Sequence, residues 1–296
     1  MAASPSAPRS SFTAPAASWS LSQALTAARF VDWSLRDFGV RVPAENRLQR
    51  AAHIVEVGGQ TPWEELSLEY RQQLSEAART LMEQYLIVRA ITEPHHAVKE
   101  RLRWLLKGEL RAGRKSSTQP YDVQFELFAG AMLVHAGIQG VRLDEPDWRI
   151  RAGSRDIGLA VKRVSSRKNY TKLLRYAIRQ IRRQNCPGVI VLNFDALCSG
   201  DERSTAAARV TTLVKEARQL VAALAAEDVI LCLFGFATSF QVVWPYIDGA
   251  LGSEVFTHGE VIEPELSHAF EIKAWFARLG ANIVRSVDRA MQAIPT

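Results

Sequence analysis

Cysteine is scarce in this 296-residue chain. Its three residues, Cys186, Cys198 and Cys232, are too few and too scattered for a disulfide framework, and they read as buried thiols in a reducing compartment. No run approaches the roughly 18 uninterrupted apolar residues that a spanning helix needs, which argues against an integral membrane protein and for a cytoplasmic one. Residues 1–20 hold a single charge, Arg9, and lack the apolar core of a secretory signal; rich in Ala, Ser and Pro, they read as a disordered head. There is no G-x-S-x-G elbow for a serine hydrolase and no G-x-G-x-x-G dinucleotide loop. The stretch from Gly108 to Ser116 is one insertion away from a phosphate-binding GxxxxGK[ST] loop. It follows a helix rather than a strand, and Arg114 displaces the lysine, so nucleotide binding is not expected. His95-His96 has no acid or cysteine partner at metal-ligand spacing and reads as a cap or surface pair. Trp244-Pro245-Tyr246 reads as core or sheet-edge packing.

What is present is ordinary globular composition, 47% hydrophobic and 23% charged, with an uneven distribution of charge. Between Arg149 and Arg183 there are twelve Lys and Arg against one acid, Asp156. That local net of +11 leaves −5 for the rest of a chain whose formal charge is +6. Positive charge focused in one segment favours a polyanionic partner, and solubility alone does not require it.

Residues 21–115 carry helical periodicity and are read as an all-helical N-terminal region. Thr61-Pro62-Trp63-Glu64 has the form of a capping box with proline at the first helical position, followed by Leu74, Ala77, Ala78, Leu81 and Tyr85 at helical spacing. Pro94 divides that helix from the next, which is expected to end near Gly113. A linker at 116–120 opens an α/β domain over 120–296. Its expected order is a helix over 121–136, stopped by Gly137, then strands at 138–143, around Trp148 and Ile150, and over Ile157–Val161. A helix to Arg183, a strand over 189–194, a helix over 205–226, a strand over 229–236 and a C-terminal helix over 264–291 follow.

The helix ending at Arg183 has two stripes. Lys168, Lys172, Arg175, Arg179 and Arg182 line up along one side, while Tyr170, Leu173, Leu174, Ala177 and Ile181 form an apolar side that can bury on a sheet. No acid supports the cations at i±4, so they repel by a few tenths of a kcal/mol per pair, a cost that phosphate contacts offset. Together with Arg163 and Arg167 these residues form a candidate nucleic-acid-binding surface, with DNA favoured over RNA.

Pro146-Asp147, the hairpin after it, Ala160-Val161-Lys162 at the end of the return strand, and Glu126 in the preceding helix together resemble the PD-(D/E)XK nuclease superfamily. The resemblance covers about 120–196 and implies a restriction-endonuclease-like αβββαβ core. It also implies phosphodiester hydrolysis dependent on Mg²⁺ or Mn²⁺. Asp147 would ligate the metal, Glu126 would assist directly or through water, and the Val161 carbonyl would complete the inner shell. Lys162 would orient or deprotonate the attacking water, or stabilise the transition state.

The chain departs from that pattern at Ala160, where the family places an acid or glutamine two residues before the lysine; a methyl group cannot bind a metal. Asp156 shares strand parity with Ala160 but lies roughly 13 Å away along an extended strand. Asp144 and Glu145 remain candidates upstream. The leading expectation is a nuclease-like protein with an altered metal site. The alternatives are a catalytically inactive nucleic-acid-binding module of the same fold, or an interaction protein that docks its basic helix on an acidic partner. The helical region is a candidate for substrate selection, dimerisation or binding a protein partner.

Overall fold

A computed structural model of the chain describes residues 11–13, 17–92, 94–110, 118–138, 141–143, 147–152, 155–198, 203–226, 229–243, 250–261, 289 and 293–294. Two short strands, β1 (Ser11–Thr13) and β2 (Ala17–Ser20), come first. Four helices follow: α1 (Leu21–Asp37), α2 (Arg47–Gln60), α3 (Leu68–Ala90) and α4 (His96–Leu105). Their starts are written in side chains that satisfy otherwise orphaned N–H groups. Ser20 and Gln23 form a reciprocal capping box at α1, Asn46 caps α2 and Ser67 caps α3.

After them come α5 (Gln119–His135), β3 (Arg142–Leu143), β4 (Trp148–Ala152) and β5 (Arg155–Arg163). Next are α6 (Tyr170–Arg183), β6 (Gly188–Asn193), the single turn α7 (Asp195–Cys198) and α8 (Arg203–Ala223). The long strands β7 (Ile230–Val243) and β8 (Ala250–Val261) complete the described elements. The chain is therefore mixed α/β, with one mixed sheet in the order β1-β8-β7-β6-β5-β4-β3 and β2 also on β8. β3, β4 and β5 form an antiparallel meander; β5, β6 and β7 run parallel; β8 returns antiparallel to β7. Among the described residues, no helix is long and apolar enough to cross a membrane.

The period-2 pattern of β5 sorts its side chains to two cores. Ile157, Leu159 and Val161 join Ile150 and Val189 in a core shared with α1 to α5, so the helical region is continuous with one face of the sheet. Ala160, Ile190, Leu192 and Leu233 face the other side, under α6 and α8.

Several expectations are corrected. Thr61 and Pro62 do not open a helix: Thr61 is the C-cap of α2, its hydroxyl donates to the Val57 carbonyl at 2.9 Å, and a 3₁₀ turn over Trp63–Glu65 precedes α3. Proline just past a helix end blocks continuation, which explains the misreading. The helix after Pro94 ends at Leu105, not near Gly113; residues 111–117, with most of the linker, lie outside the described residues. The head is not wholly without structure, because 11–13 and 17–20 pair with β8, giving that strand a partner that an unpaired edge lacks. The expected strand at 138–143 reduces to Arg142–Leu143, and β8 had no counterpart in the sequence reading. Gly153 and Ser154, Trp244-Pro245-Tyr246 and nearly all of the expected helix over 264–291 lie outside the described residues.

The junction that sets the start of β4 is a close approach. A Cβ added to Gly130 of α5 would fall 2.2 Å from Cε2 of Trp148, and the Trp148 indole Nε1 donates to the Glu126 carbonyl at 2.7 Å. Replacing a helical glycine by alanine ordinarily stabilises by about 1 kcal/mol. Here Gly130→Ala is expected to lose about 1–3 kcal/mol through overpacking. Denaturant unfolding checks this, since a gain in stability would mean that the indole is not seated on Gly130.

Candidate functional site

With Trp148 fixed against α5, the β4–β5 register runs Trp148 to Leu159, and one step further places Asp147 opposite Ala160. Asp147 is only 7% exposed. Its Oδ2 accepts the Val161 backbone N–H at 2.7 Å and the Lys162 ammonium at 2.6 Å. Its Oδ1 faces the Gln180 amide of α6, with Nε2 at 3.5 Å. Lys162 Nζ also donates to the Val161 carbonyl at 3.1 Å and sits 5.4 Å from the centre of the Tyr176 ring. Two oxygens, Asp147 Oδ2 and the Val161 carbonyl, thus converge on one positive charge.

Tyr176, Gln180 and Gln184 lie four residues apart along α6, so they share one edge of the helix. That edge faces, in turn, Lys162, Asp147 and Arg149, whose guanidinium donates to Gln184. The three contacts run along one seam between α6 and the β4–β5 hairpin.

The structure brings Asp147, Lys162 and Val161 together, and places Glu126 differently. Glu126 is ion-paired with Arg101 of α4. One turn earlier in α5, Asp122 is the acid that answers to the site. Burial pushes its carboxyl up, while the Thr118 hydroxyl, Arg163 and Lys162 pull it back down. The signal for Asp122 was present in the sequence as the i−4 neighbour of Glu126 on the same helix stripe. Gln180 carries no charge and no motif marks it, so its approach to Asp147 emerges only once α6 packs on β5.

Ala160 is fully buried and belongs to the core beneath α6, with Leu174, Ala177 and Ile181. Asp156, the acid of matching strand parity, is held by Arg142 at 2.6 Å, with Arg149 at 3.9 Å. Asp144 and Glu145 lie outside the described residues. Among the described residues, no three Asp, Glu, His or Cys side chains gather as a metal-binding group.

The seven expected nucleic-acid contacts divide. Lys168, Lys172, Arg175 and Arg179 are exposed, and among the described residues none of the four has a carboxylate within ion-pair distance. Arg182 is also exposed but donates to the Ala225 carbonyl at 2.7 Å, and Arg167 is paired with Glu216 of α8. Arg163 points to the opposite face of the sheet, where its guanidinium lies 5.4 Å from the Tyr121 ring centre and 4.0 Å from Asp122.

Behind Asp122 runs a buried polar chain that the sequence did not reveal. Arg47 of α2 lies 4.5 Å from the centre of the same Tyr121 ring and donates to Gln124 at 2.8 Å; Gln124 donates to Glu83. Glu83 accepts from Arg79 at 2.7 Å, and Arg79 also pairs with Asp195, which accepts from Asn193 at 2.7 Å. Burial opposes the charge on Arg79, but Asp195, Glu83 and Glu76 more than restore it, so its proton is held more tightly than in an ordinary arginine. The chain ties α2, α3 and α5 to the end of β6.

Removing one partner of a buried pair leaves an uncompensated charge. Asp195→Ala is therefore expected to destabilise the protein by about 3–5 kcal/mol in equilibrium unfolding; a change within about 0.5 kcal/mol, typical of a surface site, would contradict the network. Compared with family models, with curated proteins and with solved structures, the chain matches none.

Proposed function

We propose that the chain is a nuclease-like protein of restriction-endonuclease-like fold, acting on DNA or RNA phosphodiesters through an altered metal site. The observation that carries this reading is the ion pair of Asp147 and Lys162 across β4 and β5, beside the Tyr176–Gln180 edge of α6. The succession α5, β3, β4, β5, α6, β6, with an antiparallel meander followed by a parallel partner, supports the fold assignment.

The donors fit a hard cation such as Mg²⁺ or Mn²⁺, because Asp147 Oδ2 and the Val161 carbonyl already share one positive group. Those two oxygens would hold the ion in place of the Lys162 ammonium that they now share. When bound, such an ion neutralises charge developing on phosphate and lowers the pKa of water. The chain's own residues divide the remaining work. The Lys162 ammonium, displaced from Asp147 Oδ2 by the ion, would balance charge developing on the phosphate or hold the attacking water. Lys172, Arg175 and Arg179 draw the polyanion along α6 toward the seam.

The test is cleavage of supercoiled plasmid, linear duplex, single-stranded DNA and RNA with Mg²⁺ or Mn²⁺. Asp147→Ala and Lys162→Ala are each expected to reduce cleavage at least about 100-fold. Cleavage untouched by both substitutions would place the activity elsewhere and end the proposal.

A second reading, a binding module of the same fold that does not cut, is favoured by one observation: the position expected to hold an acid is the fully buried Ala160. It predicts no cleavage of any substrate but salt-dependent binding. With the four exposed cations each on a phosphate, the slope of log K against log salt is about −3.6 on duplex DNA and about −2.8 on a single strand.

A further inference from the structure

We infer that the face of α6 beside Lys162 takes single-stranded nucleic acid, with Tyr176 stacking on an unpaired base while the neighbouring cations hold the phosphates. The inference rests on the nucleic-acid reading above and narrows its substrate class.

Tyr176 is 47% exposed, one of four exposed large apolar side chains among the described residues; the others are Trp33, Leu68 and Val134. Its contact within the fold is with the Lys162 ammonium, not with the apolar core. The buried side of α6 is built from Tyr170, Leu174, Ala177, Ile178 and Ile181, and Tyr176 lies off that stripe. An aromatic at a solvent-facing helical position gains nothing from propensity and keeps its ring wetted. Its surroundings do suggest a use. Lys172 is one turn before it and Arg179 one turn after it, both exposed, with Arg175 adjacent and exposed. Below it sits Lys162, within cation–π distance of the ring and ion-paired with Asp147. A base laid on this ring would bring the adjoining phosphate to the Lys162–Asp147 pair.

A duplex offers this surface only phosphates, because its bases are stacked on one another. The cations would suffice for it and the ring would add nothing. A single strand offers phosphates and open π-faces together, the pairing met by aromatic residues interleaved with basic ones. A ring held against a cationic stripe beside the candidate catalytic lysine is the feature that separates the two substrates. DNA and RNA strands share this chemistry, and the arms of the test tell them apart.

The experiment is fluorescence anisotropy on the full-length protein without divalent metal, so that binding is read apart from cleavage. The probes are a labelled DNA strand, its RNA counterpart, the same DNA strand made abasic, and the matching duplex. Tyr176→Ala is expected to weaken binding to the DNA strand, the RNA strand or both by about 5- to 150-fold, the range that loss of one base–aromatic stack implies. Affinity for the abasic strand and the duplex should stay within about 2-fold. Tyr176→Phe should retain wild-type affinity, and Arg175→Glu should weaken every probe. Circular dichroism of Tyr176→Ala should match wild type, as expected of an exposed side chain. An equal loss on the abasic strand, or no loss on any probe, would overturn the stacking role while leaving the nucleic-acid reading in place. If the unmodified protein binds none of the four probes, that reading falls and this inference falls with it.

Discussion

A carboxylate shut between two strands must find donors, and Asp147 finds three: a backbone N–H, an ammonium and an amide. The geometry along the seam follows from meeting that demand. The Val161 N–H is available to Asp147 only if β4 begins in one register on β5, and that register is set by the Trp148 indole lying on Gly130. The Lys162 ammonium reaches the same oxygen because Lys162 leaves β5 on the α6 side. Gln180 reaches the other oxygen because α6 packs directly over β5 on Leu174, Ala177 and Ile181. Breaking such a pair from one side leaves a stranded charge, so Asp147 and Lys162 stand or fall together as a structural unit. The first task of the pair is to satisfy itself.

The helical region enters the same arrangement from the other face of the sheet. Its core runs without a break into Ile150, Leu159 and Val161, and the buried chain from Arg47 to Asp195 fixes α5 against the end of β6. Asp122 owes its place to that chain, since Tyr121, its neighbour, has Arg47 and Arg163 against one ring. The division drawn from sequence at 116–120 marks a change in period from helical to alternating. It does not mark a change of core.

Legibility tracked the range of the interaction. The order of elements from α5 to β6 and the two stripes of α6 could be read because each is a local pattern: a period of 3.6, a period of 2, Gly137 at positive φ ending a helix. That Asp147 and Lys162 lie close together was expected from the resemblance alone, and their ion pair was not expected; the short-range pairing of β4 with β5 is what brings them together. Gly130 read as a plain helical glycine, since its reason lies in an indole 18 positions away. Arg79, Glu83 and Asp195 were invisible for the same reason, each looking like a surface residue until the fold closed over it. Glu126 and Asp122 occupy one helix stripe, and which of them meets the site depends on Arg101 arriving from α4. β8 lacks a clean hydrophobic alternation, and only its pairing with β7 and the N-terminal strands defines it.

The charge count at the seam bears on how Ala160 changes the site. With an acid there, two carboxylates and one ammonium would leave a net negative pocket suited to a dication. With alanine there, Asp147 and Lys162 cancel, Asp122 is balanced by Arg163, and the exposed cations of α6 remain. Two unit charges 4 Å apart interact by about 4 kcal/mol at an effective dielectric of 20, so one carboxylate more or less decides the sign of the local field. As it stands the field tilts toward anions. On the reading proposed, phosphate binding would come before metal binding: the substrate's own oxygens would supply negative charge that the protein no longer does, and the ion would be held jointly by Asp147, the Val161 carbonyl and the bound strand. A site built this way would grip metal poorly alone and better with nucleic acid in place, which is the physical sense in which, on that reading, alanine at 160 would alter the centre without by itself abolishing it.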